Sequence, residues 1–231
     1  MNISKHIPNT ITCLNLLSGA LACVMVMRYD NTLAAFYLIL LAAVFDFSDG
    51  FAARSLHAYS KIGAELDSLA DVVSFGLAPG CMIFVCLDQI TNGNFVRFVG
   101  LLLPVFAALR LAKFNTDTRQ TTSFLGLPVP STALFWAALI PVIEPFGMQH
   151  PAVCSIVVVA LVGAFCGLMV SEIPMFSLKF KNFTWKDNHK PFILIALSVA
   201  WIVLFAVVGV PMISVSVIIC SYILLSLIFK S

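Results

Sequence analysis

The chain has 231 residues, of which 61% are hydrophobic and only 10% charged, and its formal net charge is +2. A soluble domain carries about 25% charged residues, so a mean hydropathy of +1.03 excludes a soluble globular protein. The small net charge gives no support for nucleic-acid binding.

The N-terminal stretch MNISKHIPNTITCLN does not read as a cleavable signal. It offers one Lys and then Pro8, Asn9, Thr10, Thr12 and Asn15 where an apolar core is needed. Beyond it, apolar runs of the length a bilayer requires, about 20 residues, fill most of the sequence. They predict an all-α polytopic bundle of eight spanning helices over 9–27, 32–54, 63–87, 95–115, 129–146, 152–171, 191–208 and 211–229. The breaks carry turn residues: Tyr29-Asp30-Asn31, Thr91-Asn92-Gly93-Asn94, Pro128 and Pro130, Pro145, Gly147 and Pro151, then Gly209 and Pro211. The longest connection runs from Glu172 to Lys190, too short for a separate domain, so residues 1–231 are expected to form a single integral membrane domain. The seven cysteines all lie in apolar stretches without a CxxC pair, and read as small buried hydrophobes.

An even number of spans puts both ends on one side. That side collects Lys5, Arg54, Lys61, Arg110, Lys113, Arg119, Lys179, Lys181, Lys186, Lys190 and Lys230, against Arg28 and Arg97 on the other. The asymmetry predicts cytoplasmic termini, and a multi-pass protein of the cell (inner) membrane.

Within this apolar frame, which holds only 11 acidic residues, four aspartates fall between positions 46 and 71: Asp46, Asp49, Asp67 and Asp71. Positions three or four apart share a helix face, so Asp46 pairs with Asp49 and Asp67 with Asp71. Gly50 and Ala53 share the first acidic face, and Gly63, Ala70 and Ser74 lie on or near the second. Glu65 points away from the cluster. The short link 55–62 predicts antiparallel neighbours whose acidic faces meet at the cytoplasmic end. Four converging carboxylates repel one another and are costly to desolvate. Two divalent cations would balance them, and all-oxygen ligation suits Mg²⁺, Mn²⁺ or Ca²⁺. A two-metal site of this kind clamps a phosphoryl centre. The competing readings are solvated helix-end acids, or an ion pathway of a cation-coupled transporter. The latter expects acids near the bilayer midplane and broken helices in two matching halves, and the sequence shows neither.

These residues resemble the signature of the CDP-alcohol phosphotransferase family, D-x2-D-G-x2-A-R-x8-9-G-x3-D-x3-D. Here it reads Asp46, Asp49-Gly50, Ala53-Arg54, eight residues, Gly63, Asp67 and Asp71. The resemblance implies transfer of a phosphatidyl-type group from a CDP-linked donor to an alcohol, with release of CMP. It implies that Asp46, Asp49 and Asp67 bind two divalent cations, and that Asp71 is the general base and also touches metal. Gly50, Ala53, Arg54 and Gly63 would form the nucleotide site with Asp49 and Asp67. It further implies a homodimer with a six-helix core, here over about residues 5–175, and two additional helices over 191–229.

Three more stretches resemble the phosphatidylserine synthase branch of that family. They are Pro8-Asn9 with Thr12 and Asn15, Arg110-Leu111-Ala112-Lys113-Phe114-Asn115, and Gly126-Leu127-Pro128-Val129-Pro130. The resemblance adds Asn9 and Thr12 to the CDP site and implies CDP-diacylglycerol and L-serine as substrates. Serine is a zwitterion whose carboxylate needs a cation or amide donors. Arg110, Asn115 and, more weakly, Lys113 lie on the expected side to supply them. Glycerol 3-phosphate or inositol phosphate is the alternative acceptor within the family.

Overall fold

A computed structural model describes residues 6–117, 124–176 and 185–229. Of the basic residues counted above, Lys5, Arg119, Lys179, Lys181 and Lys230 lie outside these residues, as does the side chain of Lys186.

The described chain forms eight helices in sequence order: α1 His6–Tyr29, α2 Thr32–Ser55, α3 Lys61–Thr91, α4 Phe95–Thr116, α5 Val129–Gln149, α6 Pro151–Val170, α7 Trp185–Val208 and α8 Ile213–Ile228. Seven are long and apolar enough to cross a membrane, and α8 is a shorter apolar helix of 16 residues. The all-α bundle expected from hydropathy is thus present. Three local features were not expected. The helix α3 passes through a π-helical segment, Val72–Leu77, directly after Asp71. The first turns of α4, Phe95–Leu101, are 3₁₀. Phe124–Leu125 pairs antiparallel with Pro174–Met175 as a two-stranded ribbon.

The most deeply buried span is α3, with α1, α4, α5 and α6 packed against it. Backbone polar groups cannot be left unpaired in lipid, which makes helices the default, and small residues then let helix backbones approach. A Cβ on Gly80 of α3 would lie 2.8 Å from the Gly100 carbonyl of α4. One on Gly76 would lie 3.0 Å from Pro104. The apolar core runs through Phe75, Met82, Leu87, Leu103, Trp136 and Ile140, all fully buried. Phe135 of α5 stacks on Phe165 of α6 at 4.2 Å between ring centroids. Leu, Ile and Val side chains exposed on the outer faces, such as Ile156, Val203, Val207 and Ile228, are those a lipid environment would cover.

The helix α1 buries a small and polar stripe instead of an apolar one: Pro8, Thr12, Asn15, Ser18, Gly19, Ala22 and Val26. Buried side-chain polar groups need partners. The partners of Thr12 and Asn15 lie on α2 and α3, which fixes how α1 lies over the acidic cluster.

Candidate active site

The link between α2 and α3 is five residues, 56–60, with His57 in the left-handed region at φ 49°. Ser60 ends it by capping α3, its side-chain oxygen accepting the Gly63 N–H at 3.0 Å. This short reversal brings the last turns of α2 against the first turns of α3. Asp46, Asp49 and Asp67 each offer a carboxylate oxygen within 4.8 Å of the others. Asp49 is buried, and Asp46 and Asp67 are half-buried. Asp71 stands one turn deeper on α3, outside this triad and only 6% exposed. The charges of Asp46, Asp49 and Asp67 all act on it. Glu65 is exposed, as its helical phase requires.

The α1 stripe holds two of these carboxylates. The Thr12 hydroxyl lies 2.6 Å from Asp49 Oδ2 and 3.0 Å from the Pro8 carbonyl, and its single proton serves one of them at a time. Asn15 Nδ2 donates to Asp71 Oδ1 at 3.3 Å. The Asn15 carbonyl in turn accepts from Ser74 Oγ at 2.9 Å. Ser74 belongs to the π segment. It meets α1 at Asn15, as Asp71 does, in keeping with a place on or near the acidic face, and it packs on Gly19. π-bulges recur at functional sites because one extra residue re-aims the following side chains.

A pocket of about 190 Å³ opens beside the triad, lined by Asn9, Thr12, Asp49, Gly50, Ala53, Tyr59, Ser60, Gly63 and Asp67, among others. The nucleotide-site residues named from the signature thus lie around one cavity, apart from Arg54. The exposed Arg54 guanidinium folds over Gly50, where a Cβ would meet its Nη1 at 3.4 Å. At Gly63 an added Cβ would lie 2.9 Å from Asn9 Oδ1, so the pocket wall at that point is bare backbone. Tyr59 and Ser60 were not anticipated. They come from the loop, and their only sequence signal is their place in the short link.

The donor set fits hard divalent cations, because it consists of clustered carboxylate oxygens. Asp67 Oδ1 is buried without a hydrogen-bond partner among the described residues. A buried polar atom left unpaired is costly, and a cation held with Asp46 and Asp49 would satisfy it.

The three residues expected to bind the acceptor diverge. Arg110 is only 7% exposed, its guanidinium 5.0 Å over the Phe114 ring, and the charge of Asp71 reaches it. It forms no ion pair with any described residue. Asn115 Nδ2 donates to Ser68 Oγ at 2.9 Å, tying the end of α4 to α3 beside Asp67. Lys113 points instead to the end of α6, 3.4 Å from the Val170 carbonyl and 3.5 Å from Glu172. The Gly126 turn is structural. Gly126 has φ 74°, its N–H bonds the Ile173 carbonyl at 2.9 Å, and the Leu127 N–H bonds the Leu168 carbonyl at 2.9 Å.

Comparison with known proteins agrees with this geometry. The model of the CDP-alcohol phosphatidyltransferase family matches residues 5–173. Among curated relatives, a CDP-diacylglycerol–serine O-phosphatidyltransferase of Bacillus subtilis (strain 168) is 37% identical over 131 residues, covering 54% of this chain and 70% of its own. One of Methanocaldococcus jannaschii is 32% identical over 167 residues, covering 72% of each chain. One of Helicobacter pylori (strain J99) is 35% identical over 129 residues, but the chain spans only 54% of its length. The chain therefore belongs to the CDP-alcohol phosphatidyltransferase family and is a membrane-embedded phosphotransferase of phospholipid synthesis.

Proposed function

We propose that the protein transfers the phosphatidyl group of CDP-diacylglycerol to L-serine, giving phosphatidylserine and CMP. The observation that carries this reading is the convergence of Asp46, Asp49 and Asp67 beside a pocket walled by Gly50, Gly63 and Asn9. The relatives' names supply serine as the acceptor, and the buried Arg110 guanidinium, which has no ion pair among the described residues, supports it.

In this reading Asp46, Asp49 and Asp67 hold two divalent cations, Mg²⁺ or Mn²⁺, with Ca²⁺ the third candidate, and Asp71 borders them. When bound, these would neutralise and polarise the donor diphosphate. The bare backbone at Gly50 and Gly63 lets the nucleotide approach closely, with Asn9 and Ala53 on the same wall and Arg54 at the rim. Thr12 acts mainly by orienting the Asp49 carboxylate. Arg110 receives the serine carboxylate; Asn115, bonded to Ser68, and Lys113, turned to the end of α6, contribute less. Asp71 takes the proton of the serine hydroxyl. The serine oxygen then forms its bond to the phosphorus that carries diacylglycerol, and the phosphorus–oxygen bond to CMP breaks.

The positive-inside asymmetry supports cytoplasmic termini and a cytoplasmic site in the inner membrane. The wider reading is a homodimer built on a core of residues 5–175 with two added helices over 191–229.

The test is CMP release by the purified protein, with CDP-diacylglycerol and, in parallel, L-serine, glycerol 3-phosphate and inositol phosphate. The expected result is release dependent on serine. Release only with a phosphorylated alcohol assigns a different acceptor. Solute movement without any CMP release points to a carrier.

A further inference from the structure

The pocket beside the triad is graded in polarity. Three helices each supply one polar residue deep in it and one small or apolar residue a turn nearer the α2–α3 link: Thr12 and Pro8, Asp49 and Ala53, Asp67 and Gly63. The link lines the open end with Ala58, Tyr59 and Ser60. Its backbone is pinned on both sides of Tyr59. Ala58 is 4% exposed and its N–H bonds the Ala53 carbonyl at 3.0 Å, while Ser60 caps α3. The Tyr59 side chain is by contrast 71% exposed, with no hydrogen-bond or ring partner among the described residues. A tyrosine that only anchors a membrane interface has no need to line a cavity, and Tyr59 lines this one.

A nucleotide-linked donor has a fixed order of parts: diphosphate, ribose, base. Cations held by the carboxylates would fix the diphosphate at the polar floor. The diacylglycerol arm must leave toward the bilayer, so the nucleoside arm runs the other way, to the link. From Ser60 to Asp67 is about 10 Å along a helix at 1.5 Å per residue, which leaves room for a ribose between the carboxylates and the link. The part that reaches the link is the base, a flat ring with a π-face that stacks on aromatic side chains.

We propose that Tyr59 binds the donor's nucleobase: its ring stacks on the pyrimidine at the pocket mouth and sets affinity for the nucleotide. This rests on the reading of the pocket as the nucleotide site. Ala58 and Ser60 hold the backbone in place before the nucleotide arrives, so only the side chain has to be ordered on binding. Stacking uses the face of the ring and not its hydroxyl, so phenylalanine serves as well and alanine does not.

The experiment titrates CMP calorimetrically into full-length protein in detergent micelles with Mn²⁺, for the parent, Tyr59→Phe, Tyr59→Ala and Gly63→Ala, each checked by a melting curve. The expected result is a CMP Kd raised at least about fivefold by Tyr59→Ala, the lower end of what a base–aromatic stack contributes. Tyr59→Phe should stay within about twofold of the parent, and both Tyr59 variants should melt as the parent does. In turnover, Tyr59→Ala should raise the KM for CDP-diacylglycerol by the same factor and leave the KM for serine unchanged. A CMP Kd unchanged in Tyr59→Ala but raised in Gly63→Ala overturns the role of Tyr59 and leaves the pocket reading standing. Binding as weak in Tyr59→Phe as in Tyr59→Ala also overturns it, by marking a hydrogen bond from the hydroxyl. Weaker binding together with a lower melting temperature does the same by marking a structural role. A parent that binds no CMP, or whose CMP affinity Gly63→Ala leaves unchanged, refutes the nucleotide pocket itself.

Discussion

The two ends of the bundle treat their acidic residues in opposite ways. At the end bearing the α1–α2 and α3–α4 turns, each acid has its own partner. Asp88 pairs with Arg97, Asp30 accepts from Gln89 Nε2 at 2.6 Å, and Glu144 accepts from Thr32 Oγ1 at 3.0 Å. At the other end Asp46, Asp49 and Asp67 converge on one another with no described cation paired to them, and one Asp67 oxygen has no hydrogen-bond partner among the described residues. The first arrangement is what structure alone requires of acids near a membrane. The second is unfavourable by itself and is explained by a ligand carrying positive charge. In the proposed function, the difference separates acids that hold the fold from acids that serve chemistry.

Substitutions at the two ends should therefore diverge. Asp67→Asn removes a charge from the triad and should lower CMP release by about 10³-fold, the scale seen when preorganised charge stabilisation is lost. Its melting temperature should stay at or above that of the parent, because one repulsive charge is gone. Asp71→Asn should lower kcat by about 10² to 10⁴-fold, the usual contribution of a positioned proton acceptor, with both KM values little changed. A rate near that of the parent for either variant would remove the contrast.

Next in size is the pocket wall. Gly63→Ala places a methyl group 2.9 Å from Asn9 Oδ1. It should raise the KM for CDP-diacylglycerol about tenfold, equivalent to about 1.4 kcal/mol, while the KM for serine stays constant. The smallest effect belongs to the opposite end. Asp88→Asn breaks a partly exposed pair with Arg97. It should cost less than about 1 kcal/mol of stability and leave both kinetic constants unchanged, as a melting curve and the CMP assay would show.

Much of this contrast is legible in the sequence, for a physical reason. A bilayer imposes a length and a composition on each span, so the eight helices emerge from hydropathy within a few residues of their observed ends. The acids of α2 and α3 recur at helical spacing, and a five-residue link leaves them little choice but to meet. Contacts between distant segments are another matter. The Asn15–Asp71 hydrogen bond joins residues 56 apart, and the Pro8-Asn9, Thr12, Asn15 pattern marks Asn15 without showing its partner. The π segment after Asp71 has no compositional mark, and nothing in the sequence shows that Ser74 bonds the Asn15 backbone carbonyl. Lys113 is the weaker acceptor candidate in sequence, and only the structure shows how far the two differ: Arg110 is buried beside Phe114 and Lys113 reaches Glu172.

The central claim concerns what the triad holds, and chelation tests it most directly. Purified protein stripped with excess chelator is supplied with CDP-diacylglycerol and serine, and CMP release is followed as Mn²⁺ or Mg²⁺ is titrated back. The account predicts no release in chelator, full recovery once free cation is present, and recovery to no more than about a thousandth of the parent rate in Asp67→Asn. Undiminished CMP release in excess chelator would contradict it.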